Sequence, residues 1–216
     1  MLIRKYFMSF LLATVLVGPW AVNATPLMDA AGSGDVAKVR KLLAEGAKVD
    51  EKDKYGDTAL MMAARYAPEV VTLLLANGAT VDARNNGGDT ALMFAAGFRH
   101  PEVVTLLLEN GATVDARDKL GVTALMWAAY VGKIETVELL IAKGAKVYEK
   151  DYFGLTALMV AAREDNQEVV KLLLTKGAKI DARDKDGKSA LDYAHEVQDE
   201  SRRAELIRLL TPHSPR

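Results

Sequence analysis

Apolar positions along the chain fall into two regimes. From Tyr6 to Val17 they form one run, broken only by Ser9 and Thr14. Beyond Ala24 they come in short blocks separated by polar turns, and the blocks recur. Thr25-Pro26-Leu27-Met28, Thr58-Ala59-Leu60-Met61, Thr90-Ala91-Leu92-Met93, Thr123-Ala124-Leu125-Met126 and Thr156-Ala157-Leu158-Met159 begin units 32 or 33 residues apart, and Ser189-Ala190-Leu191-Asp192 begins a sixth. Each unit continues with an alanine pair such as Ala63-Ala64 or Ala128-Ala129. An apolar stretch such as Val103-Val104-Thr105-Leu106-Leu107-Leu108 follows, and then Gly-Ala-x-Val/Ile. Self-similarity at this period is the signature of a stacked-repeat architecture.

The local chemistry of one unit predicts two helices of modest length. Thr followed by Pro or Ala and then Leu reads as an N-cap and first helical turn. A turn such as Gly132-Lys133 or Arg99-His100-Pro101 separates the helices, and the one shortened unit loses its residue around Ala67-Pro68, between helical patterns. The second helix stops at a glycine suited to left-handed backbone: Gly46, Gly78, Gly111, Gly144 or Gly177. A short extended piece and Asp-x-x-Gly turn chemistry follow, as in Asp118-Lys119-Leu120-Gly121. The alanine pairs let neighbouring backbones approach closely. No unit can bury its apolar face alone, so the units must stack.

Residues 1–24 follow different rules. Arg4 and Lys5 give a positive start, the apolar run follows, Gly18-Pro19 ends any helix, and Val22-Asn23-Ala24 offers a cleavage site. That is the pattern of a secretory signal peptide cut after Ala24. The run falls short of the ~20 residues that span a bilayer. The expected location is the periplasm or the extracellular space, without stable membrane insertion after cleavage.

Composition narrows the chemistry. The 216 residues carry 28 Lys+Arg against 29 Asp+Glu, a net charge of −1, and no cysteine. The balance argues against a nucleic-acid binder that relies on a bulk basic field. Absence of cysteine excludes disulfides, thiolate metal sites and thiol catalysis. His100, His195 and His213 show no zinc-ligand spacing; Gly32-Ser33-Gly34 lacks the nucleophile-elbow frame, and Gly87-Gly88 lacks the P-loop lysine. The methionine column could suggest Cu(I), but sulfurs one repeat apart, ~8–10 Å, cannot share an ion, so these side chains are expected in the core. No carboxylate stands in an obviously apolar setting. The expectation is a non-enzyme with no cofactor and no metal.

The repeated pattern resembles the ankyrin repeat family, D-x-x-G-x-T-P-L-H-x-A-A, a turn, then V-x-x-L-L-x-x-G-A-x-V, and the exported form points to a bacterial protein. The resemblance implies an all-α solenoid of helix pairs with short β-hairpin turns. The repeat domain covers residues 25–210, made of an N-terminal cap repeat (25–57), four central repeats (58–188) and a C-terminal cap (189–210), with a tail at 211–216. Met28, Met61, Met93, Met126 and Met159 stand where the family has histidine, so the loop-tying hydrogen bonds of that histidine are not expected here and methionine packing is expected in their place. A basic column, Lys52, Arg84, Arg117, Lys150 and Arg183, precedes the turns and reads as a solvated ladder neutralised by Asp53, Asp118, Asp151 and Asp184.

By the same resemblance, partners meet the turn tips and the concave face of the first helices. Tyr55, Tyr152 and Phe153 map to tips, and Tyr66, Phe98 and Tyr130 to the exposed ends of first helices. Leu120, Val122, Val131 and Leu155 extend the apolar character, and Arg65, Arg99 and Arg163 supply guanidinium groups typical of interface hot spots. Phe94 and Trp127 read as core. The expected function is protein binding by a monomer, with Tyr55, Arg65, Tyr66, Phe98, Arg99, Leu120, Tyr130, Tyr152, Phe153 and Arg163 on the contact surface. A narrower expectation is an inhibitor, immunity or accessory factor for an exported hydrolase or peroxide-defence enzyme.

Overall fold

The computed structural model describes residues 24–98 and 100–211. The signal-peptide reading of residues 1–24, the tail beyond Thr211 and Arg99 therefore fall almost wholly outside the described residues. Among the described residues twelve helices run in pairs: α1 (Pro26–Gly32) with α2 (Val36–Ala44), α3 (Ala59–Ala63) with α4 (Pro68–Ala76), α5 (Ala91–Gly97) with α6 (Pro101–Glu109), α7 (Ala124–Val131) with α8 (Ile134–Ala142), α9 (Ala157–Arg163) with α10 (Gln167–Thr175), and α11 (Ala190–Ala194) with α12 (Glu200–Leu210). Each first helix packs on the first helix of the next pair, and each second helix on the next second helix.

The predicted punctuation is present. The hydroxyls of Thr25, Thr58, Thr123 and Thr156 accept from the amides of the methionines three residues on, at 3.3–3.4 Å. Ser189 and Asp192 form a reciprocal capping box. The glycine after each of the first five second helices has positive φ, 96° at Gly144. Asn166 adds a cap that crosses between repeats: its amide donates to the carbonyls of Ala129 (2.8 Å) and Tyr130 (3.0 Å) at the end of α7.

One continuous core runs the length of the stack. All five methionines of the histidine-equivalent column are buried in it, as are Phe94 and Trp127. A thioether fills irregular space between short helices without needing a hydrogen-bond partner. The alanine pairs are buried too, which lets first helices approach closely.

Three sets of hydrogen bonds tie the loops in place of the histidines. The turn tips are joined by one backbone bond per junction: Asn86 N–H to Tyr55 O, Lys119 N–H to Gly87 O, Tyr152 N–H to Leu120 O and Lys185 N–H to Phe153 O, each 2.8 Å. Among the described residues the turns form no strand. They approach so closely that a Cβ on Gly88, which has φ of 85°, would lie 2.9 Å from the backbone nitrogen of Lys119.

The basic column supplies the second set. Lys52 donates to Arg84 O (2.7 Å), Arg84 to Arg117 O (2.6 Å), Arg117 to Lys150 O, and Lys150 to Arg183 O (2.8 Å). The expected neutralisation by the adjacent aspartates is not what the structure shows. Asp53, Asp118, Asp151 and Asp184 turn inward, and each accepts two backbone N–H groups of its own turn through Oδ1.

A third set joins the pieces that follow the second helices. Asp50 accepts from Thr80 N–H (2.9 Å), Asp82 from Thr113 N–H (3.0 Å), and Asp115 from Lys146 N–H (3.0 Å). The next residue in that column is Tyr148, which cannot accept in the same way and stands exposed.

Candidate partner-binding surface

The turn tips carry three of the exposed aromatic rings. Tyr55 is 60% exposed, Tyr152 56% and Phe153 41%. The local cause is the Asp-x-x-Gly turn. With Asp151 Oδ1 accepting from the amides of Phe153 (2.8 Å) and Leu155 (2.8 Å), the residues between aspartate and glycine sit at the apex. Cations lie against two of these rings: Lys54 Nζ is 4.8 Å from the Tyr55 centroid, and Arg117 Cζ is 5.7 Å from that of Tyr152. Tyr66, just beyond α3, is also exposed.

The other expected contact residues are less available. Arg65 is only 3% exposed, so it is not displayed to a partner as expected. Its guanidinium lies 5.2 Å from the Phe94 ring and 5.5 Å from Phe98, in the next repeat, so it lines the junction between repeats. Phe98 is half-buried under it. Tyr130 is half-buried and meets Trp127 edge-on at 6.3 Å. Arg163 is largely covered and pairs with Glu164 at 2.9 Å. Leu120 and Val131 are half-buried, while Val122 and Leu155 are fully buried and add nothing to the surface. Their side chains belong to the core. Arg99 lies outside the described residues.

Sequence reasoning missed two features. Tyr148 is 57% exposed, and its place in an otherwise acidic column (Asp50, Asp82, Asp115, Tyr148, Asp181) could have marked it. The second feature is a buried carboxyl pair. Asp57 and Asp89 occupy the position that Val122 and Leu155 fill in later repeats, and all four are buried. Burial pushes the Asp57 carboxyl above its usual range, opposed by the Asn85 amide, which donates to it at 2.8 Å. Burial likewise pushes Asp89 up to about 6, with Asp118 and Asp57 adding in the same direction. Asp89 Oδ1 has no hydrogen-bond partner among the described residues. The expectation that no carboxylate is in an apolar setting is thereby overturned. The apolar residues in the same column were the available signal.

Arg65 is one difference between the surroundings of the two aspartates. It stands in the repeat of Asp57 and feels that carboxylate's field. The equivalent residue in the repeat of Asp89 is Gly97. Asp89 therefore lacks the cation its counterpart has.

Among the described residues no three His, Cys, Asp or Glu side chains are placed to hold a metal ion, and no helix is long and apolar enough to cross a membrane. An open groove between α2 and α4 is lined by Val36, Arg40, Glu69, Thr72, Leu73 and Ala76. It brings together one cation and one carboxylate.

Fold and surface together define a stacked helical-repeat protein that offers a row of turn tips to solvent. The chain belongs to the ankyrin repeat family: the family described as Ankyrin repeats (3 copies) matches it over residues 9–85, 67–151 and 125–214. Ankyrin repeats are generally non-catalytic modules of protein–protein interaction. No curated protein matches the chain.

Proposed function

We propose that this chain is an exported, non-catalytic ankyrin-repeat module that binds a folded protein in the cell envelope. The contact surface is the row of turn tips and the adjoining ends of the first helices. The observation that carries this reading is the placement of Tyr55, Tyr152 and Phe153 at the apices of turns, with Tyr66 beside them. Aromatic rings at such exposure offer large contact area with little side-chain entropy to lose. The backbone, aspartate and basic ladders hold the tips in fixed register, so docking orders little of the scaffold. Export rests on the N-terminal pattern of Arg4, Lys5 and the apolar run to Val17.

The test is capture of a partner from the envelope fraction by the mature chain and by a variant with Tyr55, Tyr152 and Phe153 all changed to Ser. None of the three is buried, so both proteins should unfold at the same temperature. The proposal expects one or a few proteins retained by the parent and lost by the variant. Equal retention by both would refute the assignment of the surface.

A further inference from the structure

The turn row is electrically one-sided in a way the overall charge conceals. From each ladder cation to the residue before the next first helix (52–57, 84–89, 117–122, 150–155 and 183–188), the sequence places nine Lys or Arg and seven Asp. Seven of those nine cations are exposed, but only one of the seven carboxylates, Asp186, is. The cause is the turn chemistry described above. Carboxylates are drawn inward to accept turn amides or, at Asp57 and Asp89, buried beneath the turn, whereas lysine and arginine carry their charge outward on long stems.

These cations are also largely uncompensated. Lys54, Lys119 and Lys185, at the tips, make no ion pair with any described residue. Lys52, Arg84 and Lys150 donate to main-chain carbonyls, whose dipoles satisfy the hydrogen bond without cancelling the charge. Arg117, Arg183 and Lys188 are the exceptions, paired with Glu149 (2.9 Å), Asp192 (3.8 Å) and Glu196. Exposed rings are interleaved with this row, two of them with a cation against the face.

We infer that the partner presents an acidic, carboxylate-bearing protein surface to this basic and aromatic fringe. The inference rests on the proposed protein-binding function and specifies the chemistry of the partner. The net charge of the whole chain is −1, so the positive potential is confined to the fringe and acts within a Debye length, ~8–10 Å. A protein surface that meets only the tips feels the cations and the rings. A nucleic acid, with a dense charge extending beyond the fringe, meets the balanced remainder of the molecule, which offers it no sustained basic field.

The experiment uses poly-L-glutamate and a single-stranded thymidine oligonucleotide of matched charge as probes, each titrated with the mature chain across a range of salt. The parent should bind poly-L-glutamate with an affinity that falls as salt rises, and more tightly than it binds the oligonucleotide. The variant Lys54→Glu/Lys119→Glu/Lys185→Glu, with all three sites on exposed tips and its unfolding temperature unchanged, should lose at least tenfold in that affinity. No binding of poly-L-glutamate, binding insensitive to the triple change, or tighter binding of the oligonucleotide would each overturn the inference. Loss of captured protein by the Tyr55, Tyr152 and Phe153 variant is read separately. If it persists while the glutamate probe fails, the binding function stands and the acidic partner falls.

Discussion

The guanidinium of Arg84 donates to the main-chain carbonyl of Arg117, 2.6 Å away in the following repeat, and also to the carbonyl of Gly88 at 3.0 Å in its own turn. Two residues of like charge are thus linked through a backbone dipole, and the same relation recurs from Lys52 to Arg183. Removing the donor with Arg84→Met should cost about 1–2 kcal/mol, the net worth of two hydrogen bonds at a partly exposed site. Arg84→Lys should cost less, because Lys52 and Lys150 make the equivalent link with an ammonium group. Urea unfolding of the three proteins checks the order.

Asn166 provides a stronger test of coupling between repeats. Its amide satisfies two carbonyls at the C-terminal end of α7, and Ala129 is completely buried. Asn166→Ala should destabilise by about 1–3 kcal/mol by leaving those acceptors unpaired. Asn166→Asp should cost more, since it sets a carboxylate against carbonyl oxygens at the negative end of a helix. Chemical denaturation at neutral pH measures both.

The methionine column predicts a size rule. Met126 is 2% exposed, between helices. Met126→Leu should cost less than about 1.5 kcal/mol, because volume is nearly conserved. Met126→Ala should cost about 2–5 kcal/mol by opening a cavity. If the thioether sulfur itself mattered, the leucine variant would be as damaged as the alanine variant.

Asp89 predicts a pH dependence whose sign is unusual for a carboxylate. Its folded pKa of about 6 lies above the ordinary 3.8, so the folded state holds the proton more tightly than the unfolded chain. The stabilisation from this group is complete below about pH 4 and is lost as pH rises through 6. At pH 7 the cost of ionised Asp89 is on the order of 3 kcal/mol. Asp89→Asn should therefore be more stable than the parent at pH 7, with the difference shrinking towards pH 4. Asp57, Asn85 and Asp118 face the same group, and comparison of the two proteins cancels their contributions to first order. Thermal melts at a series of pH values give the answer.

The repeat, its paired helices, the threonine caps, the glycine stops and the buried methionines were legible because each is a local signal repeated several times. The tip rings were legible for the same reason, since Asp-x-x-Gly fixes which residues stand at the apex. Arg65 was not, because its burial depends on Phe94 and Phe98 arriving from the next repeat. Val122 and Leu155 were misplaced because a turn position was read as surface, although its residues pack beneath the turn. Asp57 and Asp89 share that position, and reading the column as a whole would have shown carboxyls standing in for core residues. The aspartates at the start of each turn misled in another way: adjacency to a basic residue in sequence suggested an ion pair, while their oxygens are committed to backbone amides.

The proposed function requires that another protein covers the turn-tip rings. Hydroxyl-radical footprinting of the chain, alone and in the complex captured from the envelope fraction, reads this directly. Tyr55, Tyr152 and Phe153 should be oxidised in the free protein and protected in the complex, while Tyr148, exposed but off the tips, reacts equally in both. Undiminished oxidation of the three tip rings in the complex, with protection elsewhere, would contradict the account.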